Sequence, residues 1–423
     1  MPGLSEAHAP GGGTADRPKP RRLLLGAFGD PGHAFPMIAL GRALIARGHE
    51  VTLQTWRRWE KHVVAEGMAF AAAPEYQVFP QGPEPLDFYE AVVHATRDTL
   101  PLVREVAPDA VVSDILTLAP GLAAEIDGRA TATLIPHVHP HGRPEHPIYS
   151  LGARMPRTAA GRALWRGAQP IVQKGLELGR TELNDTRSRL GLPALDYVHG
   201  GISRDLAIVA TFPQLEYPRE WPPNVHVVGP LMWEPPAEEG DSDTSTDRDV
   251  EDDRPLVLIA PSTAQDAEHR LLRAALEGLA DAPVRVLATW NRRLPSRPLP
   301  VPDNARVLDW VVYSREMPRS QVVVCHVGHG TLVRALSCGC AVVACPAVGD
   351  MNENAARLDW SGAGVRLPRR FVRPRTVRLA VERALTEPPI RARAGEFAAW
   401  SHAHDPGESA AVLVENLVER RAV

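Results

Sequence analysis

The stretch Cys325 to Asn354, CHVGHGTLVRALSCGCAVVACPAVGDMNEN, decides the fold. An apolar run, Val322-Val323-Val324-Cys325, ends at His326, and Gly328 and Gly330 follow. Thr331 opens a stretch of helical spacing to Ser337. A second apolar run, Cys340 to Cys345, ends at Pro346, with Gly349 and Asp350 beyond it. The order is strand, glycine turn, helix, strand, polar loop. Backbone amides freed by glycines, with a hydroxyl at the helix start, make a site for a phosphate or diphosphate. An acid and an amide just past the next strand sit where a parallel sheet holds a ligand's polar groups. An ordinary strand-to-helix turn also needs glycine, so this turn alone fits both readings.

Working outward, the same rhythm recurs on both sides. In the first half, Arg22 to Phe28 reads as a buried strand, Gly29 to His33 as a turn, and Phe35 to Arg47 as a helix. That helix carries Met37, Leu40, Ala43 and Leu44 on one face, and Gly48 is placed to end it. Strands follow at Glu50 to Thr55, Ala110 to Ser113, Thr131 to Ile135, Leu206 to Ala210 and His226 to Val228. After Gly229-Pro230 the pattern breaks. Between Glu238 and Asp253 stand nine acids and one arginine, a run that repels itself and cannot build a core. The second half restarts with a strand at Leu256 to Ala260, the turn Pro261-Ser262-Thr263 and a helix from Asp266 to Leu279. Strands at Val284 to Ala288, Arg306 to Leu308, Val322 to Cys325 and Ala341 to Ala344 complete it. The fold class is α/β, with two doubly wound domains facing each other across a cleft.

The 423 residues suffice for two domains of ordinary size. A net charge of −4 argues against a nucleic-acid binder. No apolar run is long enough to span a bilayer. The N-terminus has no apolar core of a signal peptide and is expected to be disordered over residues 1–20. The four cysteines, Cys325, Cys338, Cys340 and Cys345, crowd one stretch where a secreted framework would spread them out, so a cytoplasmic, reduced protein is expected. Neither a P-loop nor a GxGxxG dinucleotide fingerprint is present, which disfavours a P-loop nucleotidase and a dehydrogenase.

Taken together, Asp309-Trp310-Val311, His326-Val327-Gly328-His329-Gly330-Thr331, Ala335-Leu336, Gly339, Pro346, Asp350-Met351 and Asn354-Ala355 resemble a known signature. It is the donor-sugar signature of the family 1 glycosyltransferases, the UDP-glycosyltransferase superfamily. The resemblance covers roughly Arg21 to Val423 and is nearest to actinobacterial enzymes that glycosylate natural products. It implies the GT-B fold of two Rossmann-like domains. The expected division is an acceptor-binding domain over 21–233, an acidic linker over 234–255 and a nucleotide-sugar domain over 256–404. A helix over 405–423 would pack back on the first domain.

The resemblance also implies roles. Trp310 would stack on the pyrimidine, and the backbone of Val311 would pair with the base edge. His326, Gly328, His329, Gly330 and Thr331 would hold the diphosphate, with Ser262 or Thr263 on its other side. Asp350 and Met351 would face the sugar. Three departures stand out. Met351 replaces the usual Gln and cannot hydrogen-bond a hydroxyl. Arg334 stands where plant members carry a ribose-binding Glu, and Val327 replaces a small residue. The first two remove hydroxyl partners and point to a deoxygenated donor such as a dTDP-deoxysugar over UDP-glucose.

His33 follows Gly32 at a helix start, where the helix dipole disfavours imidazolium and leaves a ring able to accept a proton. A capping or merely exposed His fits that position as well. Asp114 follows a strand at the same sheet edge and is placed to orient the ring, or simply to cap a helix. The resemblance makes His33 the general base and Asp114 its partner, in a single displacement with inversion that uses no metal or other cofactor. Phe79, Phe88, His137, His139 and Tyr149 are expected to line an apolar or aromatic acceptor pocket. His137, His139 and His141 also have the alternation of a zinc ligand set, but Pro136 and Pro140 interrupt it. The partners expected are a nucleoside diphosphate sugar and a small-molecule acceptor, with no nucleic acid and no membrane span, in a monomer or homodimer. Two other functions fit the same fold: a non-catalytic relative that activates a partner enzyme, and a nucleotide-sugar epimerase.

Overall fold

A computed structural model of the chain describes residues 19–75, 87–197, 201–236, 252–262, 266 and 268–422. The expected disordered N-terminus lies outside the described residues except for its last two, and the acidic run lies outside them from 237 to 251.

The first half forms a sheet of seven parallel strands: β1 Arg22–Gly26, β2 Glu50–Thr55, β3 Ala69–Ala72, β4 Ala110–Asp114, β5 Ala130–Ile135, β6 Ala207–Val209 and β7 Val225–Val227. Its helices are α1 Pro31–Ala46, α2 Glu60–Ala65, α3 Phe88–Val106, α4 Leu118–Ile126 and α5 Ala159–Arg189. The second half has six strands: β8 Leu256–Ala260, β9 Arg285–Thr289, β10 Ala305–Leu308, β11 Val322–Cys325, β12 Ala341–Ala344 and β13 Gly364–Arg366. Its helices are α6 Arg270–Leu279, α7 Tyr313–Glu316, α8 His329–Ser337, α9 Asp350–Ser361, α10 Pro374–Thr386, α11 Pro388–Ala403 and α12 Pro406–Ala422.

The strand orders are β3-β2-β1-β4-β5-β6-β7 and β10-β9-β8-β11-β12-β13. In both, the chain winds one way from the first strand and then the other, so the order reverses between β1 and β4 and between β8 and β11. Ligands of doubly wound sheets bind at such switch points, beyond the carboxyl ends of the strands. Strands β4, β8, β11 and β12 are buried along their whole length because helices cover both sheet faces, and this is why they read as unbroken apolar runs.

Two features tie the halves together. Helix α12, at the end of the second half, lies on the first. Ala410, Ala411, Val414, Leu417 and Val418 enter one core with Leu23, Leu25 and Leu40. Burial contributes about 1.5–3 kcal/mol for each of the larger three. Beside them the Arg47 guanidinium makes two bonds to Glu415, at 2.6 and 2.7 Å, and His49 Nε2 meets the same carboxylate at 2.7 Å. A second core joins Val138, Phe212 and Leu215 of the first half to Val327, Leu332 and Phe397 of the second.

Candidate active site

Four loops converge at the two switch points. The first leaves β1 and enters α1 two residues before His33. Pro31 starts this helix, earlier than the expected Phe35, because its fixed φ and missing N–H suit a first helical position. His33 therefore sits inside the first turn. Asp114 is the last residue of β4, the strand paired with β1. Its side chain is fully buried, and its Oδ1 lies 2.8 Å from His33 Nδ1. The other oxygen accepts from the Leu116 amide at 3.2 Å. A carboxylate only accepts, so Nδ1 carries the proton and Nε2 is left as the basic atom. Burial, the largest influence on His33, lowers its pKa, but the bond to Asp114, that residue's charge, and the charges of Asp30 and Asp350 together raise it above 6.5.

The residues expected around the acceptor divide. The His137 ring stands edge-on to His33, with centroids 6.3 Å apart, and Tyr149 follows at 6.2 Å from His137. His137 Nδ1 donates to the Val138 carbonyl at 2.8 Å, and burial holds the ring's pKa below its ordinary value. His139 is placed elsewhere. Its ring packs against His141 and Trp221, and its amide is bonded to Glu216. Among the described residues no three His, Cys, Asp or Glu side chains gather to hold a metal. Phe79 lies outside the described residues, and Phe88 opens α3.

At the second switch point, β11 ends at Cys325 and α8 begins at His329, two residues before the expected Thr331. Between them Val327 is fully buried with φ at 53°. Left-handed backbone at a β-branched residue costs on the order of 1–3 kcal/mol. A Cβ added at Gly328 or Gly330 would meet nothing within 4 Å, so the space over the helix start is open. His326 Nδ1 accepts from the Ser262 amide at 2.8 Å, which puts the ring proton on Nε2, 3.6 Å from Asp266. Burial lowers the pKa of His326 and is its main influence, so the ring is a neutral donor. His329 is buried as well, with its pKa pushed down to about 3 chiefly by desolvation. Neither of its ring nitrogens has a partner at hydrogen-bond geometry, and the Asn354 amide and Ala210 carbonyl are among the polar groups around it. Thr331 stands in the first turn of α8, and Thr263 lies outside the described residues.

The loop after β10 carries Trp310, partly exposed, with the Arg292 guanidinium 4.8 Å from its ring centre. Val311 turns its side chain into the core and leaves only backbone to a ligand. Sequence reasoning missed what pins this loop. Glu234 accepts from the amides of Tyr313 and Ser314, each at 3.0 Å. Arg334 stands 3.7 Å from that carboxylate and donates to the Trp233 carbonyl, which gives it a structural partner in the chain crossing between domains. Asp350 and Met351 open α9, after Gly349 makes a turn at φ 56° and ψ −131° open only to glycine. The Ser150 amide, next to Tyr149, donates to Glu353 on α9 at 3.2 Å, so the two switch points face one another across the cleft, and the charge of Asp350 helps to raise the pKa of His33.

Known proteins resemble this chain in sequence and in fold. Residues 273–417 match the C-terminal domain of erythromycin biosynthesis protein CIII-like proteins. The 4'-demethylrebeccamycin synthase of Lentzea aerocolonigenes is 28% identical over 432 residues, covering 94% of this chain and 99% of its own. The O-mycaminosyltylonolide 6-deoxyallosyltransferase of Streptomyces fradiae is 26% identical, covering 95% and 98%. The chain is a glycosyltransferase. Its GT-B fold is shared with solved structures of such enzymes. The glycotransferase of kitacinnamycin superposes with a TM-score of 0.72 at 19% identity, covering 95% of this chain and 99% of its own. The glycosyltransferase VinC, in complex with dTDP, does so with a TM-score of 0.69 at 18%, covering 94% and 100%. This glycosyltransferase resembles enzymes of actinobacterial natural-product pathways along nearly its whole length, and no described helix is long and apolar enough to cross a membrane.

Proposed function

We propose that this glycosyltransferase moves a sugar, with inversion, from a dTDP- or UDP-sugar to a hydroxyl of an apolar or aromatic small-molecule natural product. The observation that carries the reading is the 2.8 Å pair of His33 and the buried Asp114, facing Asp350 across the cleft. His33 Nε2 takes the proton of the acceptor hydroxyl as its oxygen bonds to the anomeric carbon. The bond from that carbon to the diphosphate oxygen breaks, and the electron pair leaves with the nucleoside diphosphate. Asp114 stabilises the imidazolium that forms. The leaving group's charge is met by the amides at the start of α8, the Thr331 hydroxyl and the Nε2–H of His326, an arrangement that supplies positive potential without a metal. The pyrimidine stacks on Trp310.

For the donor, a dTDP-deoxysugar is favoured over UDP-glucose. Met351 offers no hydrogen bond to a sugar hydroxyl, and Arg334 is committed to Glu234 and Trp233. One relative's own name specifies a 6-deoxyallosyl group, and VinC was solved with dTDP. The four free cysteines, of which Cys325, Cys340 and Cys345 are buried, suit a reducing cytoplasm. Turnover of UDP-glucose and of several dTDP-deoxysugars against a panel of aromatic and macrolide-like acceptors, read by mass spectrometry, tests the reading. Product is expected from the deoxysugar donors. A clear preference for UDP-glucose would overturn the donor assignment, and loss of donor without any acceptor product would overturn the reaction.

A further inference from the structure

The seam between the domains contains a buried ionic network that the proposed chemistry does not use. Arg357, on α9, donates through Nε to Glu353 at 2.8 Å and through Nη1 to Glu216 at 3.0 Å and to the Leu215 carbonyl at 3.1 Å. Glu216 and Leu215 belong to the first domain, and Arg357 and Glu353 to the second. Side-chain exposures are 5% for Arg357, 4% for Glu216 and 2% for Glu353. The guanidinium also lies over the Tyr217 ring at 3.8 Å. Burying such a set costs several kcal/mol per ion before pairing returns it, so stability alone is a weak reason for it.

What else the two carboxylates hold is more informative. Glu216 Oε1 accepts from the His139 amide at 2.6 Å, and Glu353 Oε2 accepts from the Ser150 amide at 3.2 Å. These are the two ends of one loop. His137 lies two residues before the first anchor, and Tyr149 immediately before the second. Their rings are the ones that line up beside His33. Glu353 and Arg357 stand one and two turns below Asp350 on α9. The loop and α9 also approach closely at Gly152, with φ at 63°, where an added Cβ would lie 2.7 Å from both the Cβ and the carbonyl oxygen of Asn352.

We infer that Arg357 is a positioning residue. It ties the helix bearing the sugar-end residues to the loop bearing His137 and Tyr149, and so sets the distance between donor and acceptor. The role rests on the reading that this loop lines the acceptor. Being bonded to both carboxylates at once, the guanidinium transmits the placement of α9 to each end of the loop. Lysine, whose three donors all sit on one nitrogen, reproduces that only in part.

The test uses the full chain with Arg357→Met, Arg357→Lys and Gly152→Ala. The first leaves the buried Glu353 without its cation and Glu216 with Arg219 alone, at 3.4 Å, whereas Gly152→Ala loosens the same seam without touching a charge. Acceptor KM and kcat are measured separately at saturating donor. Affinity for dTDP is measured by calorimetry, and exchange of the amides of residues 137–152 is followed with dTDP bound and no acceptor present. Arg357→Met and Gly152→Ala are expected to raise acceptor KM by about 5- to 150-fold, the usual range for coupling between two sites. Affinity for dTDP should stay unchanged, loop exchange should accelerate, and Arg357→Lys should recover part of both effects. Unchanged acceptor KM and unchanged exchange in either folded variant would overturn the inference, as would loss of dTDP affinity in step with KM. A wild-type chain that transfers no sugar, yet shows the exchange difference, would instead count against the proposed reaction.

Discussion

Asp114→Asn is the sharpest perturbation of the site, because the substitution keeps shape and removes charge. The wild-type carboxylate is fully buried and 2.8 Å from the His33 ring. A hydrogen bond to a charged partner contributes about 1.5–3 kcal/mol, and two unit charges about 4 Å apart at an effective dielectric near 20 interact by about 4 kcal/mol. That stabilisation is realised as His33 becomes imidazolium, so about 2–4 kcal/mol of transition-state stabilisation is at stake. The expected fall in plateau kcat/KM is roughly 30- to 1,000-fold. The pH profile moves too. The active ring is neutral, so the rate rises as pH rises through the folded pKa, which lies above 6.5. Removing Asp114 leaves burial as the dominant influence, and burial lowers the pKa. The acid limb is therefore expected to shift to lower pH in the variant while the plateau drops. Initial rates at subsaturating acceptor across pH 5 to 9, with dTDP affinity as a control, would show both. A plateau close to wild type with an unmoved acid limb would rule out this role for Asp114.

Two other outcomes follow from separate parts of the molecule. Trp310→Ala removes the stacking platform and is expected to weaken dTDP binding by about 1–3 kcal/mol, with acceptor KM unaffected, as read by calorimetry. Glu415→Ala removes the partner of the buried His49 Nε2 and leaves Arg47 with Glu408 alone, and is expected to destabilise the fold by about 1–3 kcal/mol, measured by urea denaturation. Its effect on turnover should be smaller than its effect on stability, because the clamp lies at α12, away from both switch points.

The parts of the fold legible in the sequence were those whose residues had one job. Leu256–Ala260 and Val322–Cys325 are buried on both faces, so their apolar runs mark the strands to the residue. Glu50–Thr55 is equally plain between Gly48 and the turn that follows. Helix α5, with 31 residues, was invisible. Its mean hydropathy is low, it buries only Leu183, Thr186 and Arg187, and Gly161, Gly167, Gly175, Gly179 and Pro170 interrupt the pattern. At the site, His33, Asp114 and the turn around Gly328 and Gly330 were legible because each is bound to a strand end or a helix start. His139 was misplaced because alternation in a loop does not say which side faces the cleft. Its contact with Glu216 is made across 77 residues, and the Arg357–Glu216 pair spans 141. Partners so distant in sequence leave no local pattern, and Glu234, lodged against α7 and Arg334, was hidden for the same reason.

In the proposed reaction His33 activates an acceptor hydroxyl for a single inverting displacement. The most direct measurement is the product's anomeric configuration, taken by NMR with a donor sugar of known configuration, together with the ratio of nucleoside diphosphate released to glycoside formed. Wild-type protein is expected to give the opposite configuration to the donor at a one-to-one ratio, and His33→Ala to lose turnover by orders of magnitude while still binding dTDP. Retention of configuration, or undiminished transfer by His33→Ala, would contradict it.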